Sequence, residues 1–254
     1  MKYYERLVDL GCFTLDNVQA LTGNRRTAQS ILDSYKKKGL VECVRRDLYA
    51  AMSLETKQPV PNRYAIASRA APGAYVCYHS AFEYHGLANQ VYYEVYAAAR
   101  SRFRDFDYNG VTYTHVLPSI EAGVETKADG TRVTDLERTV VDGINDFNKS
   151  GGLEELLRSI GMIAYLDHEK LIEYLCAYDK VILYQKAGYI LEHYKNALKL
   201  PDDFFNSLRG KVPRSKRYLY PGIRNQTIKL NREWALYVPD DLLSLTRKGA
   251  FIDE

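Results

Sequence analysis

Apolar positions in the first fifty residues repeat at helical spacing and are interrupted by residues that end helices. Tyr3, Leu7 and Leu10 fall at i, i+4 and i+7, and Gly11 follows them, which predicts a helix closed by glycine. Leu15, Val18 and Leu21 line one side of a second helix. Thr14 is placed to cap it, and Phe13 and Val18 to staple its entry. Thr22-Gly23-Asn24 breaks the pattern and sets an asparagine cap before a third helix, from about Arg25 to Lys38. Its apolar side is Ala28, Ile31, Leu32 and Tyr35. Lys36, Lys37 and Lys38 suit the negative end of its dipole, with Gly39 just beyond. Leu40 to Val44 and Leu48 to Met52 read as short strands, with Arg45-Arg46-Asp47 at the tip. Three short helices and a hairpin are the plan of a winged helix-turn-helix.

Residues 53–62, with Glu55, Lys57, Gln58, Pro59 and Pro61, read as a linker. Beyond it the pattern mixes. Arg63 to Arg69 reads helical until Ala70-Ala71-Pro72-Gly73, and Tyr75 to Tyr78 reads as a short strand. Ser80 with Glu83, and Thr134 with Glu137, have capping-box spacing. Val91 to Tyr96 and Val111 to Val116 read as strands, with a tight Asn109-Gly110 turn before the second. Helical spacing dominates from Leu153 to Leu198, and β-like text returns at Tyr218 to Tyr220 and Thr227 to Val238. The expected fold class is α+β. A winged helix-turn-helix over 1–55 precedes a larger domain over 63–254, mixed α/β to about 150 and helical from 151 with a basic β-like end.

Composition adds little until it is mapped. The 254 residues are 46% apolar and 26% charged, with a formal net charge of +3, as in an ordinary globular chain. Tyrosine, at 22 residues, stands out. The four cysteines have no zinc-knuckle or thioredoxin spacing. With no apolar leader core and no apolar run of membrane length, the expectation is a protein of a reducing cytoplasm with small buried cysteines and no membrane partner. The basic charge, however, is clustered. Residues 21–46 hold seven basic residues against two acidic ones. Residues 207–232 hold eight and no acid: Arg209, Lys211, Arg214, Lys216, Arg217, Arg224, Lys229 and Arg232. Residues 153–180 carry six acids against three bases. Local basic fields are the footprint of a polyanion such as double-stranded DNA.

The third helix sharpens that expectation. Arg25 or Arg26 can pair with guanine and Gln29 with adenine. Asn24, Thr27, Ser30, Lys36 and Lys37 suit phosphate or cap contacts, and Arg45 and Arg46 at the hairpin tip can reach phosphate or an adjacent minor groove. The second basic stretch, with Arg209, Lys211, Arg214, Lys216, Arg217 and Arg224, reads equally as a nucleic-acid or acidic-partner surface and as a solvated region.

Catalytic and cofactor motifs are absent: no Gly-rich phosphate loop, no Gly-x-Ser-x-Gly and no His-Glu-x-x-His. His79 and His85, six residues apart, would lie on opposite sides of a helix. Asp107 with Glu125 and Lys127 has the look of a metal-dependent nuclease set. Glu-x-Lys is common by chance, however, and Glu55-Thr56-Lys57 is a second example. The most unusual text is Val133-Thr134-Asp135-Leu136-Glu137-Arg138-Thr139-Val140-Val141-Asp142. Its Arg138 stands three and four residues from Asp135 and Asp142 and is expected to bridge them as a structural network.

These residues carry a resemblance. The chain is similar to the AbiEi family, the type IV toxin–antitoxin antitoxins of abortive infection. The matching pieces are the N-terminal winged-helix pattern, Tyr78 to Leu87, Val133 to Asp142, Gly151 to Leu156 and Gln185 to Leu191. They stand in family order over most of the chain. The resemblance implies a phage-defence antitoxin and transcriptional autorepressor, without enzymatic activity, metal or cofactor. It would bind inverted repeats in its own promoter, two copies to a repeat. It would counteract a nucleotidyltransferase-like toxin without needing a stable complex. The helical text after Leu153 fits that ending better than the nuclease-like ending of some related chains. The competing expectations are a winged-helix module that binds protein, a regulator without a toxin partner and, more remotely, the nuclease.

Overall fold

The computed structural model describes residues 2–225 and 227–247, and the side chains of all of these except 224, 225 and 247. The chain is mixed α+β, with twelve α-helices and three sheets among the described residues. None of these helices is long and apolar enough to cross a membrane.

The three helices and the hairpin of the first fifty residues stand where periodicity and caps put them; a further short strand precedes the second helix. The elements are α1 (Tyr4–Leu10), β1 (Cys12–Phe13), α2 (Leu15–Thr22), α3 (Arg25–Lys37), β2 (Val41–Arg45) and β3 (Leu48–Ala51). Thr14 Oγ1 accepts the Asn17 N–H while the Asn17 side chain accepts the Thr14 N–H, a reciprocal cap that opens α2. Gly23 (φ 74°) ends α2 in the left-handed region, where a Cβ is costly. The three strands pair antiparallel in the order β1-β3-β2. Helices and sheet share a core from residues 4–51, centred on Leu7, Phe13, Val18, Ala28, Leu32 and Val41. Residues 53–62 fold back as a closed turn: Met52 bridges Pro59, and the Val60 N–H donates to the Ala51 carbonyl.

After α4 (Arg63–Ala67) come six strands: β4 (Tyr75–Val76), β5 (Glu94–Ala98), β6 (Phe106–Tyr108), β7 (Val111–Val116), β8 (Val124–Thr126) and β9 (Arg132–Thr134). They form one sheet in the order β6-β7-β5-β4-β9-β8. β5 runs parallel to β7 and β4 parallel to β9, whereas β4–β5 and β6–β7 are antiparallel. Asn109 and Gly110, both at positive φ, make the tight β6–β7 turn.

The compact units do not part between residues 55 and 63. One comprises 1–76, 92–118 and 125–133; the other comprises 77–91, 119–124 and 134 onward. Parallel strand pairs need long crossovers, so the strands of one unit are separated in sequence by segments of the other.

The second unit holds α5 (His79–Tyr84), α6 (Leu136–Asn145), α7 (Leu153–Gly161), α8 (His168–Tyr178), α9 (Val181–Glu192), α10 (Lys195–Leu198) and α11 (Asp202–Arg209). A small sheet follows, in the order β10-β12-β11, from β10 (Arg217–Tyr218), β11 (Ile228–Asn231) and β12 (Leu236–Pro239), and then α12 (Ser244–Arg247). Val140, Ile144, Leu156, Ile160, Leu171, Leu175, Leu183, Ile190, Phe204 and Trp234 belong to its core. Trp234 lies so close to α9 that a Cβ at Gly188 would meet its ring at 2.1 Å. Gln185 on the same helix donates to the Trp234 and Ala235 carbonyls.

Both capping boxes expected here differ from the structure. α5 begins at His79 behind Tyr78, and Ser80 is buried inside it. α6 is capped by Asp135, one residue later than expected, because Thr134 is still in β9. All four cysteines are free; Cys12 and Cys77 are buried, but Cys43 and Cys176 are exposed.

Candidate nucleic-acid interface

The capping and amphipathicity of α3 determine which side chains it presents. Asn24 Oδ1 accepts the N–H groups of Arg26 and Thr27 at 2.9 and 3.1 Å and starts the helix. Ala28, Leu32 and Tyr35 are buried. Arg25, Arg26, Thr27, Gln29, Ser30, Lys36 and Lys37 are therefore exposed. Arg26, Gln29, Ser30, Asp33, Ser34 and Lys37 line a shallow hollow of about 600 Å³.

Not every exposed group is equally available. Arg26 and Lys37 make no side-chain ion pair or hydrogen bond among the described residues. Arg25 reaches back to α2, 2.9 Å from Asp16. Gln29 donates its amide to Asp33, whose carboxylate also pairs with Lys36 at 3.2 Å. The Gln29 hydrogen bond and the Lys36 ammonium hold the Asp33 carboxyl below its ordinary range. The α3 surface therefore contains an acid that engages the side chain proposed from sequence to read adenine.

The hairpin tip divides the two arginines that the sequence treats alike. Arg46 is exposed. The Arg45 guanidinium turns inward, donates to the Ala70 carbonyl at 2.6 Å and lies 5.3 Å from the rings of both Phe103 and Phe106. A planar cation held between two aromatic rings and a carbonyl braces the hairpin, so Arg45 is removed from the set of free contacts.

In the second basic stretch, Arg209 is likewise a structural residue. It pairs with Glu192 at 2.6 Å and Glu233 at 2.5 Å and lies over Trp234. Lys211, Arg214, Lys216 and Arg217 are exposed. Arg214, Lys216 and Arg232 line a hollow of about 360 Å³. The Arg224 side chain lies outside the described residues.

The nuclease-like set is not assembled. Asp107 is on β6 and Glu125 on β8, the two opposite edges of the six-stranded sheet, five inter-strand spacings or roughly 24 Å apart. Asp107 accepts from Thr112, and Glu125 pairs with Lys127. No group of three or more potential metal ligands occurs among the described residues. Ring nitrogens of His79, His85, His115 and His193 lie within hydrogen-bond distance of backbone carbonyls.

The Val133 to Asp142 motif forms a buried polar network in which Arg138 contacts both carboxylates, Asp135 through its backbone N–H and Asp142 through its guanidinium. Asp135 takes the Arg138 N–H, the Lys170 ammonium at 3.1 Å and the Tyr174 hydroxyl at 2.7 Å. The Arg138 guanidinium, 2% exposed, donates to Asp142 at 2.7 Å and to the Ala122 carbonyl. Tyr178 also donates to Asp142. Burial pushes the Asp142 carboxyl above its ordinary value, opposed by Arg138 and by the Tyr178 hydroxyl.

One exposed cluster was missed in the sequence. Arg100, Arg102 and Arg104 alternate with Ser101 and the buried Phe103 on the segment after β5. Three arginines within five residues were the signal that could have found it.

No family model matches the chain, and no curated protein does. Among solved structures, the crystal structure of the RV2827C protein from Mycobacterium tuberculosis matches with a TM-score of 0.61. It is 14% identical, over 94% of this chain and 89% of that one. At that identity the likeness is one of fold.

Proposed function

We propose that the chain is a sequence-specific, double-stranded-DNA-binding autorepressor that inserts α3 into the major groove. The observation that carries this reading is α3 itself. It has an Asn24 cap, a buried Ala28-Leu32-Tyr35 side and an opposite side bearing unpaired Arg26 and Lys37 beside Gln29 and Ser30. The preceding α2, the Gly23 break and the β2–β3 hairpin suit a winged helix-turn-helix. Arg26 would read guanine, with Arg25 assisting once released from Asp16, while Lys37 and Arg46 neutralise phosphates.

The resemblance carried by Val133 to Asp142 supports the further proposal that this repressor is the antitoxin of a type IV pair. Its partner would be a nucleotidyltransferase-like toxin encoded beside it. The deciding assay is a mobility shift with DNA from upstream of its own gene at 150 mM salt. Preference for that DNA over a scrambled duplex is expected; equal or no binding overturns the repressor reading. Rescue of growth when the chain is co-expressed with the neighbouring gene product tests the antitoxin half.

A further inference from the structure

The second compact unit carries exposed charge of both signs, and neither sign neutralises the other. On α8, Glu169, Glu173 and Ala177 stand four residues apart and are exposed. Neither glutamate makes an ion pair or side-chain hydrogen bond among the described residues. The one lysine of this helix, Lys170, turns away from them, 3.1 Å from Asp135 and 3.9 Å from Glu137. Two like charges four residues apart repel, and Lys170 does not offset them. Just before the helix, Met162 and Tyr165 are 46% and 54% exposed.

The opposite sign gathers around the hollow of about 360 Å³ beside the β11–β12 turn. Arg214, Lys216 and Arg232 at its rim are exposed and have no acidic partner among the described residues. Val212, Leu230 and Ala235 give it an apolar floor. The one acid that lines it, Glu233, is held by Arg209 at 2.5 Å. Arg209 is itself fixed over Trp234 and against Glu192. The floor is therefore braced and the rim cations are free. A phosphate backbone is met by charge and donors alone. A concave apolar floor within a cationic rim suits instead a protein surface with an exposed apolar side chain among carboxylates.

We propose that this hollow receives the α8 face of a second copy of the chain. Arg214, Lys216 and Arg232 of one copy meet Glu169 and Glu173 of the other, and Tyr165 covers the apolar floor. Both faces lie in the same compact unit, yet no ion pair joins them within one chain among the described residues, so each is left to an outside partner of the opposite charge. The two faces differ, so a single contact leaves one of each kind open on the pair; a two-fold arrangement engages both at once. Exposed ion pairs are individually weak, so the association belongs to high protein concentration and low salt. It does not depend on the DNA reading.

The test is sedimentation velocity of the full chain without DNA, at concentrations up to about 200 µM and at about 0.05 and 0.5 M salt. The sedimentation coefficient of wild type is expected to rise with concentration at low salt and to stay at the monomer value at high salt. Glu169→Lys/Glu173→Lys and Arg214→Glu/Arg232→Glu should each weaken association by about 100-fold or more. An equimolar mixture of the two should associate again, because each supplies the face the other has lost. Glu169→Gln/Glu173→Gln removes charge without adding repulsion and should weaken association less than the reversal does. Wild type that stays monomeric at the highest concentration in low salt overturns the proposal. So does either reversed variant that associates like wild type, or a mixture that stays monomeric while wild type associates. Loss of duplex affinity in Arg214→Glu/Arg232→Glu with self-association intact would assign the rim to nucleic acid instead. All four replaced side chains are exposed, and an unchanged circular dichroism spectrum controls for folding.

Discussion

Replacing Arg138 by methionine tests whether the Val133 to Asp142 motif is structural. Methionine retains much of the side-chain length but leaves Asp142, 1% exposed, with the Tyr178 hydroxyl as its remaining described side-chain partner. An ionised carboxylate left in a core is expected to cost about 3–5 kcal/mol. A ceiling comes from titration. Asp142 can escape by taking a proton, at about 1.4 kcal/mol per pH unit above the ordinary carboxyl value of 3.8, or about 4 kcal/mol at pH 7. The sign follows. In the variant the folded-state value is raised above the unfolded one, so the penalty is largest at neutral pH and shrinks as pH falls towards 4. Arg138→Met/Asp142→Leu removes both charges and is expected to cost about 1–2 kcal/mol, for the lost partners of Tyr178 and Ala122. Urea denaturation followed by circular dichroism at pH 7 and pH 5 measures all three terms. The reasoning is refuted if the single variant costs under about 1 kcal/mol, if its cost does not fall at pH 5, or if the double variant is worse than the single.

Three further outcomes are expected. Arg26→Ala should cost about 1–3 kcal/mol of DNA affinity and relax preference at one base position, whereas Lys37→Ala should weaken all duplexes alike; binding to a panel of single-base operator variants separates them. Asp33→Ala should change preference at the same base position as Gln29→Ala, because Asp33 orients that amide. A shift at a different position in the same panel would contradict this. Gly188→Ala should destabilise by about 1–3 kcal/mol, since its Cβ would overlap Trp234. Red-shifted emission from Trp234, the chain's one tryptophan, is the readout.

What could be read from the sequence follows the range of the interactions. Caps and breaks act over three or four residues, so Thr14, Gly23, Asn24 and Gly39 reveal the first helices directly. α6 is displaced by one residue because Thr134 is drawn into β9, a pairing with β4 that no local window contains. β8 and β9 have three residues each, too few to show a period. Arg45 and Arg46 are indistinguishable in sequence. Only Phe103 and Phe106, far along the chain, decide that one turns inward. Long-window charge counting found 207–232 but passed over Arg100, Arg102 and Arg104, a run of five residues whose charge is offset by Asp105 and Asp107 directly after it.

The interleaving of the two compact units affects how the chain is made. β4 ends at Val76, and its parallel partner β9 is complete only at Thr134. At roughly 5–20 residues per second on a ribosome, the first strand waits about 3 to 12 seconds for the other. Tyr75 and Val76, 2% and 0% exposed once folded, can pair with β5 earlier, but their β9-facing edge stays open for that interval. Slowing translation between codons 77 and 133 would lengthen that exposure.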